Sequence, residues 1–225
     1  MRSTHRADLH VHTINSDGAH TAQELIDRSA KSLCLLSFCD HDTFGAYSSD
    51  LVLPKTMRLL PGIEMSCQVG DSDLHMLAYF PKGLTGEILS WGRLLETDRK
   101  ERVLNGVSQL RESGVPLLWK DFEAETGSSV PCRSHVARAL IRGGLCDSAG
   151  QAFRQWLRQG IFRRPQITAE EAFQQVHELD GLTYWAHPQA DQIRTHGERL
   201  IKAGLDGVES LYKNLGTPEG NVGRE

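Results

Sequence analysis

The pattern of apolar and polar positions at the amino terminus predicts a short β-strand followed by a helix. In "ADLHVHT", residues 7–13, apolar or small residues alternate with an aspartate and two histidines, and a period of two is that of a strand with one buried face. "TAQE", residues 21–24, matches the capping box that begins a helix, and apolar residues continue at helical spacing to Leu33. "LCLLSFC", residues 33–39, predicts a second, buried strand.

Strand signals continue along the chain with one long helical interruption. "RLLPGIEMSCQV", with a break at Pro61–Gly62, and "LHMLAYF" predict strands, as do "LTYWAHP" and "DGVESLY" further on. Strand–helix alternation predicts an α/β architecture with a site at one end of a sheet or barrel. We therefore expect the first part of a barrel in residues 1–96, a helical insertion in 97–166, and the second part in 167–225, which ends in a frayed polar tail.

The composition of the chain limits which binding partners and which cellular environment we expect. The 225-residue chain is 39% hydrophobic with a formal net charge of −4, which argues against a basic surface for duplex DNA but permits a small anionic substrate. No apolar run is long enough to span a bilayer and no leader-like segment precedes the histidines. Five cysteines without a C-x-x-C pair favour reduced, buried thiols in a cytoplasmic protein. The oligomeric state is left open.

Ionisable side chains gather where the predicted strands end. Five strands each contribute at least one, and in a parallel or barrel arrangement these ends would meet. Taken singly, a strand-end histidine is more often a satisfied polar group than a ligand. A converging set of imidazoles and carboxylates, however, needs cations to offset repulsion, and such donors suit Zn, Mn or Fe. The set is His10, His12, Asp17, Asp40, His41, Asp42, Glu64, His75, His187 and Glu209.

Several stretches together resemble the PHP (polymerase and histidinol phosphatase) family of metal-dependent phosphoesterases. They are "DLHVHTINSDG", "FCDHDTFGA", "LLPGIEMS", "LHMLAYF", "CRSHVARAL", "YWAHP" and "LDGVESLY". The resemblance is strongest to the branch of nucleoside 3',5'-bisphosphate phosphatases and 5'-3' exoribonucleases. It implies a distorted (β/α)7 barrel, C-terminally incomplete here, with a helical insertion and a multinuclear metal site.

The resemblance also implies roles for individual residues. His10 and His12 would bind one metal with Glu64, Asp17 and His41 a second, and Glu64 a third with the two remaining histidines, His75 and His187. Two or three divalent metals are expected, with Mn, Zn or Fe favoured and Mg as a further candidate. Asp8 would orient a histidine from outside the cluster.

Arg133 and His135 would bind the substrate phosphate, since they stand where relatives have "G-R-P-H-x-A-R-A-L". Together with Asp17 and His41, they form the expected catalytic set. Two positions depart from the relatives, because Cys132 replaces a glycine and Ser134 a proline. Arg133 on a solvated helix start is the alternative interpretation.

The resemblance fails at the end of the chain. Relatives carry an aspartate and a histidine in "S-D-x-H" after the "DGVE" strand, and this sequence has no such motif. We therefore expect fewer bound metals and weak or absent hydrolysis from the 225 residues.

The leading hypothesis is a metal-dependent phosphoesterase that hydrolyses phosphate esters of nucleotides or short oligoribonucleotide ends with a bridging hydroxide. The alternatives are a histidinol-phosphatase-like enzyme acting on small molecules, and a metal-binding remnant with little activity.

Overall fold

The computed structural model describes residues 6–47, 50–157 and 160–210, and these residues form a mixed α/β fold. The strands are β1 (Ala7–Val11), β2 (Leu35–Phe38), β3 (Arg58–Leu59), β4 (Gly62–Val69), β5 (Ser72–Tyr79), β6 (Leu182–Trp185) and β7 (Gly207–Val208). The helices are α1 (Ala22–Ser29), α2 (Gly86–Glu112), α3 (Trp119–Thr126), α4 (Arg133–Arg142), α5 (Ala149–Gln155), α6 (Ala169–Glu178) and α7 (Ala190–Lys202).

The strands form two sheets that meet at the candidate site. One sheet has the order β1-β2-β3 and is parallel, and the other has the order β4-β5-β6-β7. A parallel bridge between His41, just after β2, and Glu64 in β4 joins the two sheets. The α/β class is confirmed, whereas the described residues show no pairing that would close a seven-stranded barrel.

The β4–β5 hairpin departs from the predicted parallel arrangement. β5 is antiparallel to both β4 and β6, and only β6–β7 is parallel in this sheet. Glu64 and His75 therefore lie within their strands and not at the strand ends where the sequence pattern placed them. They still share one face, because His75 is opposite Ser66, and Ser66 is two residues after Glu64.

Local signals in the sequence explain several element boundaries. Thr21 caps α1 and Thr168 caps α6, each in a full capping box with the glutamate three residues later, as predicted. α2 ends at Glu112, and Gly114 follows with φ +89°, a conformation that glycine adopts without steric cost. No helix of the described residues is long and apolar enough to cross a membrane.

The apolar side chains form separate clusters on either side of the site. The largest packs the β4–β5–β6 face against the first turns of α2 and against α6, and includes Met65, Met76, Phe173 and Trp185. Another lies among helices α2 to α5 and includes Val107. The described part of residues 97–166 is thus helical with its own apolar cluster. The predicted frayed tail and the last residues of "DGVESLY" lie outside the described residues.

Candidate metal centre and adjoining cleft

Glu64 is the middle of the candidate site, and one of its carboxylate oxygens faces three imidazoles. The side chain is 1% exposed. Its Oε2 lies 2.9 Å from His41 Nδ1, 3.2 Å from His12 Nε2 and 3.4 Å from His10 Nε2. His10 and His12 reach this oxygen together because residues two apart on a strand share a face.

The other oxygen of Glu64 faces the remaining two histidines of the predicted set. Oε1 lies 3.1 Å from His75 Nδ1 and 2.8 Å from His187 Nε2. His187 comes two residues after β6 and has φ +33°. Such a conformation is costly for a residue with a side chain and is often found at functional sites. The structure thus brings all five predicted histidine ligands around one buried carboxylate.

Asp17 lies beside this group. Its Oδ1 is 3.5 Å from His12 Nδ1, and its Oδ2 is 3.8 Å from His41 Nε2. Ser134 donates a hydrogen bond of 2.7 Å to Oδ2. Burial would raise the pKa of Asp17, but the nearby imidazoles of His41 and His12 outweigh it and lower the pKa to about 2. Asp17 is therefore a carboxylate at any pH near neutral.

Glu209 orients two of the histidines, a role that the sequence did not assign. Its carboxylate oxygens lie 3.1 and 3.3 Å from His10 Nδ1 and accept a 2.7 Å hydrogen bond from the backbone N–H of His187. A proton on His10 Nδ1 leaves Nε2 available as a ligand. Asp8, which was expected to orient an imidazole, accepts a hydrogen bond from the backbone N–H of His10 at 3.4 Å.

The two aspartates that flank His41 support the site from outside it. Asp40 is buried and accepts hydrogen bonds from Thr13 and Ser16, which fix the loop between His12 and Asp17. Asp42, at φ +53°, accepts from the backbone N–H of Ser66 and from two arginines of α2. Both aspartates therefore converge on the site, as predicted, but their contacts are structural.

The histidines and carboxylates of the site shift one another's pKa values. Burial would lower the pKa of His10, but its hydrogen bonds to Glu209 and Glu64 outweigh this and raise the pKa to about 10. The pKa of His12 is also raised, because contact with Glu64 outweighs its burial. The pKa of Glu64 is well below its ordinary value, since the surrounding histidines outweigh the effect of burial. Without a metal, a protonated His10 therefore supplies positive charge beside the buried carboxylate, whereas burial lowers the pKa of His41 to about 4.

These residues fit divalent metals. Among the described residues, His41 Nδ1, His75 Nδ1 and Glu64 Oε2 are buried without an aligned hydrogen bond, although each imidazole atom is about 3 Å from the carboxylate. Buried polar atoms of this kind are rare and call for a partner such as an ion. The 3.1 Å separation of His10 Nε2 and His12 Nε2 is close to that of two nitrogens bound at about 2.1 Å to one tetrahedral metal.

Three overlapping groups bring ligand atoms within 4.8 Å of one another. They are His10–His12–Glu64, His12–Asp17–His41 and His41–Glu64–His75. His12, His41 and Glu64 are each shared, so neighbouring metals in these groups would have ligands in common. Imidazole nitrogens with carboxylate oxygens are a donor set for Zn, Mn or Fe.

A cleft of about 600 Å³ opens from this centre towards the helical part of the chain. Its lining includes Asp17, His41 and His75, together with several arginines and two phenylalanines. Four of the arginines are neutralised by aspartates at 3.3 Å or less: Arg99 and Arg102 by Asp42, Arg163 by Asp98, and Arg164 by Asp73.

Arg133 differs from the other arginines of the cleft. It has no ion pair within the described part of the chain, and its guanidinium carbon lies 5.9 Å from the centroid of the Phe153 ring. It begins α4 and lines the cleft. The location agrees with a phosphate contact, which stays a prediction.

His135, the second expected phosphate ligand, has a different environment. It is 2% exposed, and its Nδ1 accepts a 2.9 Å hydrogen bond from the backbone N–H of Cys132, which closes the first turn of α4. Its Nε2 lies 3.5 Å from Ser129 Oγ. Burial and the nearby Arg138 lower its pKa to about 4. What the structure shows for His135 is a capping role, and a contact with substrate stays a prediction.

Known proteins with similar sequences include phosphoesterases of nucleotides and RNA. A 5'-3' exoribonuclease of Haemophilus influenzae is 29% identical over 196 residues, which cover 82% of this chain and 69% of that protein. A 3',5'-nucleoside bisphosphate phosphatase of Chromobacterium violaceum is 28% identical over 219 residues, covering 90% and 75%. No protein-family model matches the chain.

A solved structure agrees with these relatives. The crystal structure of a candidate metal-dependent phosphoesterase from Bifidobacterium adolescentis superposes with a TM-score of 0.73 at 26% identity, over 92% of this chain and 77% of that one. The similarity in sequence and the similarity in fold thus both indicate the class of phosphoesterases. The buried imidazole–carboxylate cluster agrees with the metal dependence of the protein from Bifidobacterium adolescentis. The chain resembles the PHP-type metal-dependent phosphoesterases and is, like them, a hydrolase.

Proposed function

We propose that this protein hydrolyses phosphate esters of nucleotides or of short oligoribonucleotide ends at a multinuclear metal site around Glu64. One observation supports the proposal most strongly: Asp17, His41 and His75 of the imidazole–carboxylate cluster line the same cleft as Arg133, which has no ion pair within the described residues. Metals beside a guanidinium suit a phosphate group, which can contact both.

In this proposal Glu64 is shared between two metal positions, and the other ligands belong to one position each. His10, His12 and Glu64 would hold one cation, and Asp17 and His41 would hold a second, with His12 next to it. Glu64, His75 and His187 hold a third, with His41 beside it. When bound, such cations supply Lewis acidity towards phosphoryl oxygens and a hydroxide nucleophile near neutral pH.

The side chains of the protein supply binding and orientation. Arg133 offers in-plane N–H donors that match two phosphate oxygens. Asp17 stays anionic and is held by Ser134, so its oxygens keep their direction. Glu209 fixes the His10 ring and the backbone of His187. Preorganised groups of this kind lower the cost of reaching the transition state.

The size of the cleft agrees with a nucleotide-sized substrate. Its volume of about 600 Å³ is within the range of about 300–1,000 Å³ that is usual for small-ligand sites. Residues 97–166 form, in this proposal, a helical insertion over the cleft, and residues 1–96 and 167–225 the two parts of a distorted (β/α)7 barrel.

A phosphate-release assay tests the proposal. The protein is loaded with Mn, Zn or Fe and given a nucleoside 3',5'-bisphosphate, a 5'-phosphorylated short oligoribonucleotide and histidinol phosphate. Release from the first two in preference to the third is expected, and chelation should abolish it. Preferred cleavage of histidinol phosphate would instead identify a small-molecule phosphatase. No release from any substrate with any metal would contradict the proposal and favour the alternative of a metal-binding remnant, for which the missing "S-D-x-H" motif already predicts weak or absent hydrolysis.

A variant pair tests the role of Arg133. Arg133→Ala should raise KM for the nucleotide at least about tenfold, since a hydrogen bond to a charged group contributes about 1.5–3 kcal/mol. Arg142→Ala is the matched control, because Arg142 is on the same helix but pairs with Glu125 on the exposed side. Equal KM values for parent and Arg133→Ala would refute a phosphate contact at this position.

A further inference from the structure

Phe153 is an aromatic side chain exposed in the cleft. It lies on α5 and lines the cleft, and it is 40% exposed. The helix packs into the helical apolar cluster through its neighbour Ala152, which is fully buried. An exposed aromatic ring inside a ligand-sized cleft often contributes to binding.

The ring is next to the group proposed to hold the phosphate. The Arg133 guanidinium lies over the Phe153 ring, 5.9 Å from its centroid. A guanidinium stacks through its face and donates hydrogen bonds in its plane, so Arg133 can contact Phe153 and a phosphate at the same time. A nucleotide whose phosphate is held between Arg133 and the metal centre would then have its remaining part within reach of Phe153.

We propose that Phe153 is a stacking platform for the nucleobase of the bound nucleotide, and that it makes the cleft select nucleotides over phosphate esters without a base. The inference rests on the proposed function and names a specificity residue for the same site. Nucleobases stack on aromatic side chains in many nucleotide-binding proteins, and this contact tolerates any base because each has a π-face. Phe162 lines the same cleft and adds apolar surface.

The contact with Arg133 gives Phe153 a second conceivable role, and the two roles differ in one measurable respect. If the ring only held Arg133 in place, its loss would weaken binding of every phosphate ester alike. If it stacks on a base, its loss weakens nucleotides and leaves base-free esters unchanged. The experiment therefore compares adenosine 3',5'-bisphosphate with its abasic analogue, in which hydrogen replaces adenine.

Equilibrium binding to the whole metal-loaded chain is measured calorimetrically with phosphonate analogues of both compounds, in which a P–CH2 bond replaces the ester P–O bond, so that no hydrolysis occurs. The parent should bind the nucleotide more tightly than the abasic compound. Phe153→Ala should weaken nucleotide binding roughly 5- to 150-fold, the range for stacking on one base, and should not change binding of the abasic analogue. Phe153→Trp should retain the preference, whereas Phe153→Leu, which keeps apolar volume without a π-face, should lose most of it.

Hydrolysis by the metal-loaded protein provides a second readout. In the variants, kcat/KM should fall for the nucleotide only, mainly through KM. Parallel losses on both compounds, or a parent that does not prefer the nucleotide, would overturn the inference while leaving phosphoesterase activity intact. A parent that binds and prefers the nucleotide but releases no phosphate would support the inference and contradict the proposed function.

Discussion

The side chain of Ser134 connects the helical part of the chain to the candidate metal centre through a hydrogen bond. Its hydroxyl donates a 2.7 Å hydrogen bond to Asp17, 117 residues earlier. The backbone N–H of Val130 also donates to the carbonyl oxygen of Asn15, so two hydrogen bonds join the loop after β1 to the first turn of α4 and the residues before it. Because the imidazoles of His12 and His41 lie 3.5 and 3.8 Å from Asp17, the shorter bond from the hydroxyl is expected to hold the direction of Oδ2.

Replacement of Ser134 by alanine should weaken metal binding at the position formed by Asp17 and His41. Removing a support of a metal ligand commonly costs about 10- to 100-fold in metal affinity, and binding at the His75–His187 side should not change. A metal titration followed by calorimetry would resolve the two positions. Ser134→Thr keeps the hydroxyl and should bind like the parent, and an unchanged titration for Ser134→Ala would show that Asp17 needs no such support.

Glu209 gives a second prediction at this scale. Glu209→Gln keeps an oxygen that can accept from the backbone of His187 but loses the charge beside His10. We expect metal affinity at the His10–His12–Glu64 position to fall about 10- to 100-fold. Equilibrium dialysis with Mn or Zn measures this, and Glu198→Gln, a change at an exposed residue on α7, serves as the control. A metal affinity of Glu209→Gln equal to that of the parent would show that Glu209 does not contribute to metal binding.

The sequence predicted the histidines around Glu64 better than it predicted the side chains that hydrogen-bond to the candidate ligands. The histidines could be found because two periodicities and several short motifs place them on one side of predicted strands. The contacts of Ser134 and Glu209 could not be found in this way, because each joins segments more than 100 residues apart. His135 was assigned to phosphate by resemblance, and only its burial and its bond to Cys132 show that it caps its own helix.

At the scale of elements, the antiparallel β4–β5 hairpin is the main departure from the sequence-based prediction. Only Gly70 and Asp71 separate the two strands, and a connection of two residues permits only an antiparallel pair. The sequence predicted a strand that begins with "LHMLAYF" at Leu74, which placed His75 at a strand end, whereas β5 begins at Ser72. Glu64 and His75 still lie close together, because the antiparallel register keeps both side chains on one face of the sheet.

Helix α4 offers a prediction about pH, because His135 caps its first turn as a neutral ring. Its pKa is lowered to about 4 in the folded protein, below the value of about 6.5 in an unfolded chain. Between these values the unfolded state binds a proton that the folded state does not. Stability is therefore lost as the pH falls from about 6.5 to about 4 and is unaffected by this group above that range.

His135→Gln should reduce this loss. Glutamine at this position can also accept from the cap backbone but does not titrate. Relative to the variant, the parent should lose about 2 kcal/mol between pH 7 and pH 4.5, measured by urea unfolding at both values. Arg142→Gln, a change on the same helix, should lose as much unfolding free energy between the two pH values as the parent does. Equal pH slopes for parent and His135→Gln would mean that the buried imidazole accepts a proton without cost.

At the scale of the whole molecule, the candidate metal centre joins the two sheets and borders the helical part of the chain. Its candidate ligands come from β1 and the loop after it, from the loop after β2, from the β4–β5 hairpin and from the residues after β6. Within the described residues, His41 and Glu64 form the bridge between the sheets. Occupancy of the site and stability of the fold should therefore be linked.

Metal addition should accordingly raise the melting temperature of the chelator-treated protein. A ligand that binds only the folded state contributes about 2.7 kcal/mol at 100 times its Kd, which corresponds to about 5–10 °C for a chain of this size. The gain should grow as the pH rises from 6 to 8, because the pKa of His10 is raised to about 10 without metal and a cation must displace that proton. Glu64→Gln should lose most of the gain, whereas Glu198→Gln should keep it. A melting temperature that does not respond to Mn, Zn or Fe at either pH would mean that the imidazoles and carboxylates around Glu64 do not hold a cation.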